Sequence, residues 1–129
     1  MAGEVVKVPA GTFCWNELVT RDVGAAKTFY TQLFGWTVVD EPMGPMQYSM
    51  LQSGGKNVGG MMAMPKEAGP APSHWMAYVS VADCDAMAEK ATALGGKVIV
   101  PPMDVPGVGR FSLLQDPTGA VISVIRLGN

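Results

Sequence analysis

The chain repeats itself. Trp15 to Val39 aligns on Met76 to Val100 at a shift of 61 positions without a gap. Asp22 falls on Asp83, Ala25 on Ala86, Leu33 on Leu94, Gly35 on Gly96 and Val38 on Ile99. Further on, Tyr48-Ser49-Met50-Leu51-Gln52 aligns on Phe111-Ser112-Leu113-Leu114-Gln115 at a shift of 63. A period near half the chain means that one structural unit has been doubled. Each copy must then fold alike. A functional site is expected between the copies, where equivalent strands face each other.

The elements of one copy can be read locally. Residues 13–20 are bulky and β-branched enough for a strand. Asp22 reads as a helix N-cap, with Ala26, Phe29, Tyr30, Leu33 and Phe34 at helical spacing and Gly35 as a left-handed stop. Strands are expected at 36–39, 47–52 and 58–63, with a turn-rich piece at Pro42, Gly44 and Pro45 and a hairpin turn at 53–57. Pro65 to Ser73 holds three prolines and a glycine in nine residues, which reads as a linker. The second copy follows with a strand at 74–81, N-cap Asp83, a helix ended by Gly95-Gly96, and strands at 97–100, 111–115 and 120–126. Pro101 to Arg110 reads as a long loop, rich in Pro and Gly, of the kind that carries function. The expected fold is α+β: two tandem βαβββ modules, about 11–64 and 74–127, forming a bent mixed sheet around a cleft in a single domain over residues 1–129.

Composition narrows the function. A chain of 129 residues buries enough surface to fold without disulfides or a structural metal. The formal net charge is −2 and the nine Lys and Arg form no basic run, so nucleic acid and anionic membrane are not expected partners. No apolar stretch is long enough to span a bilayer. Met1 to Lys7 does not read as a secretory leader, so the expected location is cytoplasmic. Cys14 and Cys84 read as small buried hydrophobes rather than as a redox pair.

The helix Asp22…Ala25-Ala26…Phe29-Tyr30…Leu33-Phe34-Gly35-Trp36, the Leu94-Gly95-Gly96 helix end and the turn Asp116-Pro117-Thr118-Gly119-Ala120 lie in this order along nearly the whole chain. In this the chain resembles the vicinal oxygen chelate superfamily, which includes glyoxalase I, extradiol dioxygenases and the bleomycin- and fosfomycin-resistance proteins. The resemblance implies the fold. It does not select a reaction, because the fold hosts several. In metal-using members four ligands come from equivalent strands of the two modules. Carried over by position, those four places are Trp15, Gly60, Met76 and Ser123. None is a good ligand for a divalent first-row metal, which wants imidazole, carboxylate or thiolate. The resemblance therefore implies a member without the usual metal site, and no cofactor is expected. A displaced divalent-metal site using Glu17 and His74 is the alternative; Gln52, Asn57 and Gln115 would add only weak oxygens. The resemblance also implies a homodimer.

Strand alternation puts Glu17 on the face of Trp15, and His74 on the face of Met76. An inward Glu17 needs a partner to offset its burial, and the alternation alone leaves it either there or in water. His74, the one histidine, is either a strand-start residue bonded locally or a site acid/base. Arg110, after a loop with two glycines, is either solvated or placed to meet an acidic group on a ligand. Ten methionines, seven of them on or beside strands or the long loop, suit either an adaptable apolar surface or an imprecise core. The first functional reading is a metal-independent protein that binds a small apolar or aromatic molecule in the inter-module cleft, lined by Trp15, Glu17, Gly60, Met76, Tyr78, Arg110 and Ser123. The second is a glyoxalase-like lyase, a dioxygenase or a hydroxylase-type enzyme, using a displaced metal or acid-base chemistry by Glu17 and His74.

Overall fold

A computed structural model describes residues 8–43 and 46–128. The segment read for a leader, the expected turn residues Gly44 and Pro45, and Asn129 lie outside the described residues. The fold is α+β, with the βαβββ order repeated. The first copy comprises β1 (Phe13–Thr20), α1 (Val23–Phe34), β2 (Thr37–Met43), β3 (Met46–Ser53) and β4 (Lys56–Ala63). The second comprises β5 (His74–Ser80), α2 (Cys84–Ala93), β6 (Lys97–Val105), β7 (Gly109–Gln115) and β8 (Val121–Leu127). The described residues divide into two compact units, 16–75 in one, and 76–128 with the segment before residue 16 in the other.

Both helices start as their sequences dictate. Asp22 accepts the Ala25 amide at 2.9 Å and Asp83 accepts the Ala86 amide at 3.0 Å, each satisfying an otherwise orphaned donor. Gly35 closes α1 at φ 72°, donating its amide to the Thr31 carbonyl. That left-handed cap costs glycine nothing in side-chain sterics.

In the first unit the strands run β2-β3-β4-β1. β1 and β4 are parallel; β2 with β3 and β3 with β4 are antiparallel. Leu18, Leu51 and Met61 form the core on the face that meets α1, packed by Val23, Ala26, Tyr30, Trp36 and Val38. Each such side chain, fully buried, stabilises the unit by roughly 1.5–3 kcal/mol. Met61, one of the strand methionines, is thus a core residue. The second unit repeats the order as β6-β7-β8-β5, with β5 and β8 parallel. Its core is Cys84, Ala88, Leu114 and Val124. Burial pushes the Cys84 thiol pKa up, with Asp85 adding to the effect, so this cysteine behaves as a hydrophobe.

The expected loop at 101–110 needs correction. β6 runs on through Pro101 and Pro102 to Val105, and only the turn at 106–108 separates it from β7. β6 pairs with β7 on one side and ends its unit's strand order, so prolines there remove no ladder bond that a second neighbour needs. The register shifts between Val98 and Val100, and again between Val100 and Met103, absorb the irregular backbone. Pro42 is likewise taken into β2, the corresponding edge of the first unit.

Between the copies, Lys66–Ala68 forms one 3₁₀ turn. Arg21 clasps the stretch from Gly69 to Ser73. Its Nε donates to the Ala71 carbonyl at 2.7 Å, its Nη2 donates to the carbonyls of Gly69 and Ala71, and its amide donates to Ser73 Oγ at 3.0 Å. No helix among the described residues is long and apolar enough to cross a membrane.

Candidate functional site

The strongest polar constellation lies on the sheet face of the first unit that points away from α1. Leu18 faces the helix, so by alternation Glu17 faces the other way. Glu17 is only 6% exposed. The parallel register sets it directly beside Gly60 of β4. Tyr48 of β3 reaches over Gly60 and donates its hydroxyl to Glu17 Oε2 at 2.7 Å. A buried carboxylate is costly unless a donor meets it, and Tyr48 meets it.

Gly60 makes this possible. A Cβ there would lie 1.6 Å from Tyr48 Oη and 2.2 Å from its Cζ. The phenol occupies the volume that any side chain at position 60 would claim. Around this pair the face is lined with sulfur and aliphatic carbon. Met50 pairs in register with Gly60, Met62 with Tyr48 and Val19, and Met43 with Met46. Met50 is buried and Met62 half-buried.

The second unit presents a related face with different chemistry. Tyr78 pairs with Ser123 in the same parallel register that joins Glu17 to Gly60. The shifts of 61 and 63 relate these pairs, and the equivalent of Tyr48 is Phe111. Met76 lies two residues before Tyr78, on the same face, and is buried. Trp15, half-buried, falls in this unit and shares its strand face with Glu17.

Other sequence candidates go elsewhere. Arg110 does not join Tyr78 and Ser123. It lies on the helix face and forks onto Asp85 at the start of α2, at 2.9 and 3.0 Å, and onto Asp104 at 3.1 Å. Those carboxylates hold its guanidinium pKa above the ordinary value, and Arg110 in turn holds Asp85 below the usual carboxylate range. His74 shares Nδ1 with the Pro72 carbonyl at 2.8 Å. Asn57 Oδ1 accepts from Gln52 Nε2, and Gln115 donates to the Gly119 carbonyl.

The four places that the resemblance carries over from metal-using members, Trp15, Gly60, Met76 and Ser123, offer an indole, no side chain, a thioether and a hydroxyl. At Gly60 the Tyr48 ring leaves no room for a replacement. No group of three or more His, Cys, Asp or Glu able to hold a metal occurs among the described residues. This donor set does not fit a divalent first-row ion. Tyr48 is a residue of this face that the sequence analysis did not single out as a candidate. The available signal was the repeat itself, where Tyr48 and Phe111 differ by one hydroxyl.

With this geometry in view, comparison defines the class. The sequence model of the Glyoxalase/Bleomycin resistance protein/Dioxygenase superfamily matches residues 12–124, and the chain belongs to that superfamily. Among curated proteins it is 44% identical over 117 residues to "Putative glyoxylase CFP32" of Mycobacterium tuberculosis, covering 90% of this chain and 44% of that protein. It is 37% identical over 132 residues to anthracycline biosynthesis protein DnrV of Streptomyces peucetius, covering 92% of this chain and 48% of that one. The chain thus spans less than half the length of these relatives. Among solved structures, methylmalonyl-CoA epimerase from Mycobacterium tuberculosis matches with a TM-score of 0.66 at 15% identity, covering 96% of this chain and 94% of that one. The Streptomyces coelicolor epimerase matches at 0.63 and 18%, covering 94% and 100%. At such identities the likeness is one of fold.

Proposed function

We propose that this chain binds a small apolar or aromatic molecule without a metal, on the helix-free sheet face that carries Glu17 and Tyr48. One observation carries the reading: the Tyr48 phenol fills the side-chain volume at Gly60 and engages the Glu17 carboxylate. The polar centre of the face is thereby built from side chains alone. The methionines around it supply a polarizable, adaptable lining for a flat ring system. Glu17 supplies one fixed acceptor to orient the compound. The names of two relatives, the anthracycline biosynthesis proteins DnrV and DauV, support a fused-ring ligand class. The matching face of the second unit, with Met76, Tyr78 and Ser123, suits the same kind of compound.

The test is a fluorescence titration with an anthracycline as probe, before and after dialysis against a chelator. Saturable binding of equal affinity in both is expected, and Glu17→Gln should weaken it at least fivefold. Absence of saturable binding, or binding abolished by the chelator, would overturn the reading. A second reading rests on the same buried carboxylate: Glu17 as the acid-base group of a glyoxalase-like enzyme. Chromatography of the probe after long incubation separates the two, since turnover lost in Glu17→Gln would favour the enzyme.

A further inference from the structure

We propose that the first unit carries a soft-metal site, in which the thioethers of Met43, Met46 and Met62 hold copper(I) and Glu41 offsets its charge. The three methionines come from neighbouring strands, β2, β3 and β4. Met43 and Met46 are cross-strand partners. Met62 pairs with Tyr48, two residues on from Met46, which sets it diagonal to Met46 on the same face. Direct partners lie about 4.5–5.5 Å apart at Cβ and diagonal ones within about 8 Å, spans that unbranched methionine side chains can close around one ion. All three side chains are half-buried, whereas Met50 and Met61 are sealed at 1% and 0% exposure. The three are sheltered from bulk water and still open to an incoming ion.

The donor chemistry selects the ion. Thioether sulfur is a soft, uncharged donor that suits copper(I) and not the harder divalent ions, which want carboxylate or imidazole. An uncharged donor set leaves the charge of the ion unmet, and a sheltered charge needs a counter-charge. Glu41 supplies one. It pairs with Tyr48 and lies two residues before Met43, so it shares their face, and it is half-buried. The paired residues here, 41–43, 46–48 and 62, include no basic side chain to oppose a cation.

The repeat supplies an internal comparison. In the second unit Phe111 stands for Tyr48, and the same pairings carry Val105 for Met43, Gly109 for Met46, Ile125 for Met62 and Met103 for Glu41. The fold is satisfied there by two aliphatic side chains and a glycine, without a carboxylate. Packing alone therefore does not call for sulfur at these three places. The inference goes beyond the binding reading and does not rest on it, since the three thioethers lie past Tyr48, toward the end of β2 and the start of β3.

The test is a titration with silver(I), which shares the soft character of copper(I) and undergoes no redox change, followed by NMR of carbon-13-labelled methionine methyl groups. Cys14 is first capped with N-ethylmaleimide, because a thiolate would compete for the ion; Cys84 is buried. The signals of Met43, Met46 and Met62, assigned from Met43→Leu, Met46→Leu and Met62→Leu, are expected to shift together and to saturate at one equivalent. Met46→Leu keeps the volume and removes the sulfur, so it should raise the silver concentration at half-saturation about tenfold with an unchanged circular dichroism spectrum. Should that variant fail to fold, Met43→Leu replaces it, with the same expectation. Glu41→Gln should weaken binding several-fold, and Met103→Leu, in the second unit, should leave it unchanged. The proposal is overturned by no shift at these three signals, by shifts spread over all ten methionines without saturation, or by unchanged affinity in a folded Met46→Leu or Glu41→Gln variant. The readout needs no organic ligand, so it stands or falls apart from the anthracycline titration.

Discussion

Tyr48 and Gly60 act as one residue in two parts. Gly60→Ala places a Cβ inside the phenol, and overpacking of this kind costs about 1–3 kcal/mol. The cost should be far smaller in a Tyr48→Ala background, where the ring is gone. Urea denaturation of the two singles and the double checks this, and additive losses would show that the ring does not set the limit. Tyr48→Phe removes only the hydroxyl that meets Glu17. Leaving a buried hydrogen-bond partner unsatisfied costs about 1–3 kcal/mol, so a loss of that size is expected in the same assay. Sequence reasoning could see that an inward Glu17 needs a partner. It could not see which, because the donor lies 31 positions away on a strand that is not β1's hydrogen-bonded neighbour.

At the scale of elements, what was legible was what is decided locally. Asp22 and Gly35 fix the ends of α1 through bonds to residues three and four positions away, and both ends fall where the sequence puts them. β6 was illegible past Val100 because Pro101 and Pro102 normally exclude a strand. Their tolerance depends on β6 having a neighbour on one side only, which is a property of strand order rather than of the segment. The inter-module linker is another element whose conformation is set from a distance. Arg21 holds the carbonyls of Gly69 and Ala71. Arg21→Ala should speed limited proteolysis within residues 65–73 several-fold while leaving the thermal midpoint nearly unchanged. Equal cleavage rates would mean that the clasp does not restrain the segment.

At the scale of the molecule, stability should depend on acid in a defined direction. Asp40 is held below the usual carboxylate range first by the Lys27 hydrogen bond and then by Ser49, Asp85 by Arg110, and Asp116 first by the Thr118 hydroxyl and then by the amides of Thr118 and Ala120. Each carboxylate titrates lower in the fold than in the unfolded chain, where its pKa is about 3.9. Its contribution is therefore complete above that value and is lost as pH falls through the lower folded one. The thermal midpoint should drop below about pH 4, and salt should reduce the share from these exposed groups. Asp116→Asn keeps an acceptor but no titration, so its midpoint should fall less steeply over the same acid range. An identical slope would remove Asp116 from the account. The repeat was also the most legible whole-molecule feature, and it gave the order of elements correctly. It did not say how far the copies have diverged. One now carries Glu17 with Tyr48 where the other carries Tyr78 with Phe111.

The interlocking of positions 48 and 60 also constrains the history open to this chain. While the tyrosine ring stands, every mutation away from glycine at 60 is penalised in the folded state. While position 60 holds anything larger, the ring cannot take its present place beside Glu17. A lineage crossing from one arrangement to the other must pass through an intermediate that has given up either the ring or the side chain. Homologues should therefore vary at these two positions together, and a large residue at 60 should be found with something smaller than tyrosine at 48.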